Sequence, residues 1–305
     1  LTSNEAGIVF RKDKTFLLDW MQVYMEAQES AGKKDGSQIK IAMRILKDYA
    51  GEMVTLDQID GDFCRGYITY LLTEYHPKGK DISNYTLHNY YRALNGALNS
   101  AVRKRKMKAN PFNELEKSEK IRKPESMRSY MTIEEVQALI DTPMPHEEYE
   151  IVKCAYLFSC FCGLRISDII KLKWNDVFVD RGQYRLAVSM KKTKEPIYLP
   201  LSPEALKWMP ERGGKSSEDN VFDLPSANTI RMQLKPWAKA AGISKRFSYH
   251  TSRHTFATMM LTLGADLYTV SKLLGHADVK MTQVYAKIIN KKKDEAVNLV
   301  NGLFH

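Results

Sequence analysis

The apolar residues of this chain fall into two blocks of regular spacing, and the charged segment between the blocks limits the fold more than any other feature. From Thr15 to about Met107 they recur at the spacing of amphipathic helices. A second patterned block follows the charged segment. Because a chain of 305 residues usually organises more than one core, we predict a helical domain at 1–108, a linker at 109–128 and a second domain at 129–305.

The first block is expected to hold about four helices. Ser37 and Thr55 each stand just before an apolar run, where they could cap a helix, and Gly51 interrupts the pattern. The last helix begins near Ser83 and ends in a dense basic cluster. This cluster, which we expect to face phosphate, comprises Arg103, Lys104, Arg105, Lys106 and Lys108.

Charge narrows the class of partner without identifying it. Lys and Arg outnumber Asp and Glu by 46 to 36, which gives a formal net charge of +10. Such an excess suits a polyanion, and nucleic acid is the first hypothesis. Many basic proteins, however, simply carry a solvated charged surface, so motifs have to decide.

The predicted linker, 109–128, has alternating charges and few apolar residues. Those that remain are Phe112, Leu115 and Ile121. Two interpretations stay open for its charges. They are solvated, as most charge runs are, or they follow the backbone of a bound nucleic acid.

The second block begins with Thr132, whose partner Glu135 three residues later completes the pattern of a helix-capping box. Farther on, alternating apolar residues on both sides of the basic turn 191–194 predict a β-hairpin within an otherwise helical domain. Gly264 and Gly275 each follow an apolar run, as a glycine beyond a helix C-terminus does. The expected fold class is therefore mainly α with a small β-sheet.

The cysteines lack the paired spacing of a zinc site or a disulfide framework, so we expect buried, reduced thiols at Cys64, Cys154, Cys160 and Cys162. No apolar run is long enough to span a bilayer, and the N-terminus has no signal pattern. We therefore expect a cytoplasmic, nucleoid-associated protein. Because the first residue is Leu1 and not Met, we also expect that the chain is either a fragment of a longer protein or a processed form.

Three short segments carry side chains suited to binding an anion. Arg165 starts an apolar helix, with Asp168 three residues later as an ordinary ion-pair partner. His250 and Arg253 project from one helix face toward a common point, which an anion between them would favour. The third segment places Tyr285 nine positions after a histidine.

Each segment alone has an ordinary structural explanation: a surface ion pair, a packed helix or a core aromatic. The ordered set is much harder to explain in that way. It consists of Arg165, Lys192 in the hairpin turn, His250, Arg253, His276 and Tyr285.

With these residues in that order, the chain closely resembles the tyrosine recombinase family, also called the phage integrase family. The family pattern is Arg, Lys, His-x-x-Arg, His or Trp, then Tyr, and all six positions are filled. The resemblance extends over nearly the whole chain. It implies a helical, SAM-like core-binding domain followed by an α+β catalytic domain, with Asp168 at a position where an acidic residue supports the site.

The resemblance makes Tyr285 the nucleophile and the two arginines the phosphate ligands. Physical chemistry agrees, because guanidinium groups are always charged and can bind the oxygens on which negative charge develops. We expect His250 to accept the phenol proton and Lys192 to protonate the leaving 5′-oxygen, while His276 donates a hydrogen bond to the phosphate. A 3′-phosphotyrosine conserves the bond energy, so no metal or other cofactor is expected.

Alternatives with the same chemistry are a type IB topoisomerase and a chromosome-dimer resolvase, and a non-catalytic DNA-binding regulator is the alternative from another class. The resemblance implies double-stranded DNA sites as partners, a homotetramer on DNA and an accessory DNA-bending factor. It also implies exchange of C-terminal segments between protomers. One apolar face suits either that exchange or packing within its own chain, and it comprises Ala296, Leu299, Val300, Leu303 and Phe304.

Overall fold

The structure is a computed structural model. It describes residues 14–33, 35–124, 128–189 and 196–286. The chain divides into two compact units, 1–126 and 127–305. The turn that carries Lys192 and the apolar C-terminal residues predicted to exchange between protomers lie outside the described residues.

The described part of the first unit contains the predicted four helices. They are α1 (Leu17–Ser30), α2 (Gly36–Ala50), α3 (Gly61–Thr73) and α4 (Asn84–Arg103). Helix α4 begins next to Ser83, as predicted, and Ser83 caps it by accepting a hydrogen bond from the backbone N–H of Thr86 at 3.3 Å. The predicted cap at Ser37 is wrong, because Ser37 lies inside α2. Thr55 does cap a helix, as predicted, but it is the short 3-10 helix Leu56–Gln58, while Asp60 caps α3.

The described part of the predicted linker packs against the first unit. Phe112, Leu115 and Ile121 are buried among the apolar side chains of the four helices. The amide of Asn110 donates to the side-chain oxygens of Asn95 at 2.7 Å and Asn99 at 2.8 Å, both on α4. Few apolar residues predicted a linker here, but each of them is buried in the core of the first unit. The first unit therefore extends beyond the predicted boundary at residue 108.

The second unit is helical around a small sheet. Its described helices are α5 (Ile133–Asp141), α6 (Glu150–Cys162), α7 (Ile166–Ile169), α8 (Pro203–Leu206), α9 (Ala227–Ala240), α10 (Tyr249–Thr262), α11 (Leu267–Leu273) and α12 (Lys280–Ala286). The predicted capping box at the start of α5 is present, with the Thr132 N–H donating to Glu135 at 2.8 Å. The Gly264 and Gly275 backbones follow α10 and α11 with positive φ, as predicted.

The sheet has three antiparallel strands in the order β1-β2-β3. They are β1 (Val177–Asp180), β2 (Gln183–Ser189) and β3 (Pro196–Pro200). The β2–β3 pairing confirms the predicted hairpin, with Leu186 opposite Leu199 in the core. Strand β1 was not predicted. Its sequence signal is the pair Arg181-Gly182 between β1 and β2. In the structure this pair forms the tight two-residue turn of a hairpin, with positive φ values of 50° and 78°.

Helix α6 forms the centre of the second unit. It is buried on most of its circumference, and α10 packs along it. The Tyr249 hydroxyl of α10 donates to the carbonyl of Ala155 in α6 at 2.7 Å. Because the candidate arginines stand at the end of α6 and on α10, this packing sets the distance between them.

The cysteines are free thiols, as predicted, although Cys154 is only partly buried. Burial raises the pKa of the Cys64 thiol to about 12, which makes it a poor nucleophile. Among the described helices, none is both long enough and apolar enough to cross a membrane.

Candidate active site

Gly163 determines where the first candidate arginine lies. It ends α6 in a left-handed conformation with a φ of 74°, and a Cβ at this position would stand 2.5 Å from the Phe256 ring. The chain therefore turns sharply, and Arg165 becomes the residue that precedes α7. Asp168, one turn into α7, is buried with a carboxylate oxygen 4.0 Å from Nη1 of Arg165. Arg165 itself remains partly exposed, so its guanidinium can reach a ligand.

The second candidate arginine, Arg253, lies on α10 and is almost fully buried. Its Nη1 donates to the carbonyl of Gly163 at 2.7 Å, and its Nη2 donates to the carbonyl of Leu274. These bonds connect the ends of α6 and α11 through one side chain. Burial, followed by repulsion from Arg165, lowers the pKa of Arg253 to about 9. An anion beside the two guanidinium groups would offset both effects.

His250 stands one turn before Arg253 on α10, as the three-residue spacing predicts. Its side chain is exposed, although neighbouring groups partly desolvate the ring. Desolvation, followed by the charges of Arg253, Arg128 and Arg165, lowers the pKa of His250. The imidazole is therefore neutral at neutral pH and lies in a strongly positive field.

His276 and Tyr285 come together because the chain turns between α11 and α12. Nδ1 of His276 lies 2.7 Å from the hydroxyl oxygen of Thr282, one turn before Tyr285 on the same helix. The Tyr285 side chain is only 1% exposed. It belongs to a small apolar cluster that includes Phe256 and Leu274. Its position next to the Arg253 helix is therefore fixed by packing.

Two further residues at the site were not predicted from the sequence. Nη1 of Arg128 donates to the Tyr285 hydroxyl at 2.9 Å, and Nδ1 of His254 lies 2.6 Å from the same oxygen. His254 could have been found, since it is one helical turn beyond His250 and must share its face of α10. Arg128 lies in the polar segment before α5 and carried no signal of its own.

The structure thus brings five of the six predicted residues, with Asp168, into one neighbourhood, while Lys192 lies outside the described residues. The phenol of Tyr285 does not contact His250, the predicted proton acceptor. It contacts His254 instead. Among the described residues, no group of three or more His, Cys, Asp or Glu side chains could hold a metal ion.

The predicted basic cluster belongs to the first unit. Its members are exposed at and beyond the end of α4: Arg103, Lys104, Arg105, Lys106 and Lys108. The chain reverses there, and Arg105 has a φ of 56°. The positive charges are therefore displayed on a compact turn.

Two family models match the chain. The model of the phage integrase family matches residues 129–292, and that of the phage integrase SAM-like domain matches residues 16–122. A tyrosine recombinase of Pseudothermotoga lettingae is 29% identical over 242 residues, which cover 72% of this chain and 82% of the relative. Tyrosine recombinase XerD of Vibrio vulnificus is 32% identical over 184 residues, covering 55% of this chain and 59% of the relative.

Solved structures show the same fold. The Tn1549 transposon integrase in complex with transposon right end DNA has a TM-score of 0.71 at 17% identity, covering 95% of this chain and 100% of that one. A lambda integrase tetramer bound to a Holliday junction has a TM-score of 0.67 at 21% identity, covering 90% of this chain and 78% of that one.

Proposed function

The chain belongs to the phage integrase family of site-specific tyrosine recombinases, and from this premise we propose that it cleaves and rejoins duplex DNA through a covalent bond between Tyr285 and a 3′-phosphate. The observation that carries the proposal is the position of Tyr285. Its hydroxyl accepts a hydrogen bond from Arg128 at 2.9 Å, and its ring packs against the helix that carries the buried Arg253. Burial, followed by repulsion from Arg165, lowers the pKa of Arg253 to about 9, which an anion at this site would offset.

The two arginines are proposed to bind the phosphodiester. Arg165 is partly exposed and presents its guanidinium to the non-bridging oxygens, with Asp168 behind it. Arg253 is anchored by two backbone carbonyls, so its charge is already oriented when DNA arrives. Such preorganised charge stabilises the pentacoordinate transition state more than the ground state, because negative charge accumulates there on the same oxygens.

His276 and Lys192 complete the proposed chemistry. His276 is oriented by Thr282 and can donate its other ring N–H to a non-bridging oxygen. Lys192 is proposed to protonate the leaving 5′-oxygen, since an alkoxide is a poor leaving group. The phosphotyrosine then conserves the energy of the broken bond, and a 5′-hydroxyl from another strand can displace Tyr285 without a nucleotide or other cofactor.

The proposed partners are double-stranded recombination sites bound by four copies of the chain, with a DNA-bending accessory factor. Structures of similar integrases bound to DNA, including a lambda integrase tetramer on a Holliday junction, support the DNA sites and the tetramer. The accessory factor is what the family resemblance implies. We propose that the first unit contacts DNA through the basic turn at Arg103–Lys108. Matches to a transposon integrase favour a mobile-element integrase, while resolution of chromosome dimers remains the alternative task.

A nicked DNA substrate tests the proposal. The nick lies close to the cleavage position, so that the short 5′-hydroxyl fragment diffuses away and the covalent complex accumulates. The parent chain should form an adduct that resists denaturation, and Tyr285→Phe should form none. Tyr285→Phe should still bind the site with nearly the parent affinity, since one hydroxyl contributes little to a large electrostatic interface. Loss of supercoils from plasmids without a recombination site would instead indicate a topoisomerase.

A further inference from the structure

The Tyr285 hydroxyl has two described partners that lie outside the family pattern of six residues. Arg128 donates to the phenol oxygen at 2.9 Å, and its guanidinium carbon stands 5.4 Å from the centre of the Tyr285 ring. Nδ1 of His254 is 2.6 Å from the same oxygen. Because the tyrosine is 1% exposed, these side chains take hydrogen bonds that water would otherwise take.

Hydrogen-bonding capacity fixes the direction of the bond from Arg128, and the tautomer of His254 sets the direction of the other. Arginine can only donate, so Arg128 occupies a lone pair of the phenol oxygen. Burial, followed by the neighbouring imidazole of His250 and the charge of Arg128, lowers the pKa of His254 to about 3. A neutral imidazole has one accepting nitrogen, and with the proton on Nε2 that nitrogen is Nδ1. In that tautomer Tyr285 donates to His254 and accepts from Arg128, so each of the two contacts pairs a donor with an acceptor.

We propose that His254 accepts the phenol proton of Tyr285 and that Arg128 stabilises the phenolate formed. This inference rests on the proposed strand-cleavage activity and names two catalytic residues for it. It replaces the expectation that His250 is the base. The His250 ring stands edge-on to His254, with 4.5 Å between ring centres, so it contacts the base rather than the nucleophile.

The proton and the electron pairs balance in this step. As the phenol oxygen forms its bond to phosphorus, its proton moves to Nδ1 of His254, which becomes imidazolium. The bond between phosphorus and the 5′-oxygen breaks, and that oxygen takes a proton from the general acid proposed above. In religation the 5′-hydroxyl attacks the phosphotyrosine and gives its proton back to the general acid, while His254 returns its proton to the departing Tyr285.

The surrounding charges connect proton transfer to DNA binding. Imidazolium at position 254 would face the positive charges of Arg128 and Arg253 and the rings of His250 and His276. Without an anion, these groups make His254 a weak base. A phosphodiester held by the arginines adds negative charge next to them and strengthens the base. The nucleophile is therefore activated mainly when a phosphate is in place.

Covalent-adduct formation on the nicked substrate, at saturating DNA, tests the role of His254. His254→Gln keeps a polar side chain but cannot take the proton, so adduct formation at neutral pH should slow by about a hundredfold or more. The defect should shrink as pH rises, because hydroxide can remove the proton. Unchanged DNA affinity and thermal unfolding temperature show that the variant is folded.

Replacing Tyr285 by a ring-fluorinated tyrosine, whose phenol is more acidic, separates a base from a structural contact. The fluorinated residue should restore much of the rate in His254→Gln and in Arg128→Gln, because a more acidic phenol needs less help to ionise. Arg128→Lys should lie between the parent and Arg128→Gln. Arg165→Ala and His250→Gln are the matched controls, and the fluorinated residue should not restore them selectively.

Three results would overturn the inference. The first is parent-like adduct formation by His254→Gln. The second is faster adduct formation, which would mean that His254 restrains the nucleophile instead of activating it. The third is rescue of His250→Gln in preference to His254→Gln. Failure of the parent chain to form any adduct would overturn the proposed function itself and, with it, this step.

Discussion

Replacing His254 should change how the stability of the second unit depends on pH. His254 keeps a neutral ring in the folded protein because burial, followed by the charges and rings around it, lowers its pKa from 6.5 to about 3. In the unfolded chain those neighbours are absent. Between these two pKa values the unfolded state binds a proton that the folded state does not.

This difference fixes the sign and the size of the effect. Stability is fully present above the unfolded pKa and falls as pH decreases through the window from 6.5 to about 3. pH 5 lies about 1.5 units below the pKa of the unfolded state, and this difference corresponds to about 2 kcal/mol of lost stability. Because His254 is only partly buried, we reduce this to about 1 kcal/mol for solvent screening.

Urea denaturation of the parent and of His254→Gln at pH 7.5 and pH 5 measures the difference. The parent should lose about 1 kcal/mol more stability on acidification than the variant does. His250→Gln should also lose less stability on acidification than the parent does, since the pKa of His250 is lowered too. Identical losses in the parent and in His254→Gln would refute the claim that the site holds this ring neutral.

Three further predictions concern the phosphate, the DNA and the leaving group. Arg165→Ala and Arg253→Ala should each slow cleavage by about a hundredfold or more, measured under single-turnover conditions. Arg253→Ala should also destabilise the fold, because two buried carbonyls lose their donor. Near-parent cleavage by either variant would return that arginine to a structural role. Replacing Lys104 and Lys106 by Ala should flatten the salt dependence of DNA binding, measured by fluorescence anisotropy, without slowing cleavage of saturated complexes; an unchanged slope would mean that the basic turn faces solvent. Lys192→Ala should cleave normal DNA very slowly but recover on a substrate with sulfur at the bridging 5′ position, because a thiolate leaves without protonation; absence of this rescue would make Lys192 a phosphate contact.

Local sequence patterns predicted the elements whose stability is local. The capping box at Thr132 and the start of α4 near Ser83 depend on residues within a few positions, and the hairpin around Leu186 and Leu199 pairs two strands that are consecutive in the sequence. The predicted linker was revised because the burial of Phe112 depends on distant helices. Few apolar residues in a segment do not reveal whether a core exists to receive them.

In the candidate site, too, the sequence predicted what depends on local spacing and missed what depends on contacts between distant segments. The spacing of His250 and Arg253 on one helix placed both at the site, since a helix fixes which residues share a face. The carbonyls that hold Arg253 and the contact between Arg128 and Tyr285 join segments far apart in sequence. Arg128 reaches Tyr285 across 157 positions, and nothing in its own neighbourhood of alternating charges distinguishes it.

The central claim is that Tyr285 becomes linked to the 3′-phosphate of DNA. The most direct measurement is mass spectrometry of peptides from the trapped adduct, after nuclease digestion has reduced the DNA to a short remnant. The nucleotide remnant should be found on the peptide that contains Tyr285, with fragmentation placing it on that side chain. A remnant on another residue, or an equal amount of adduct from Tyr285→Phe, would contradict the account.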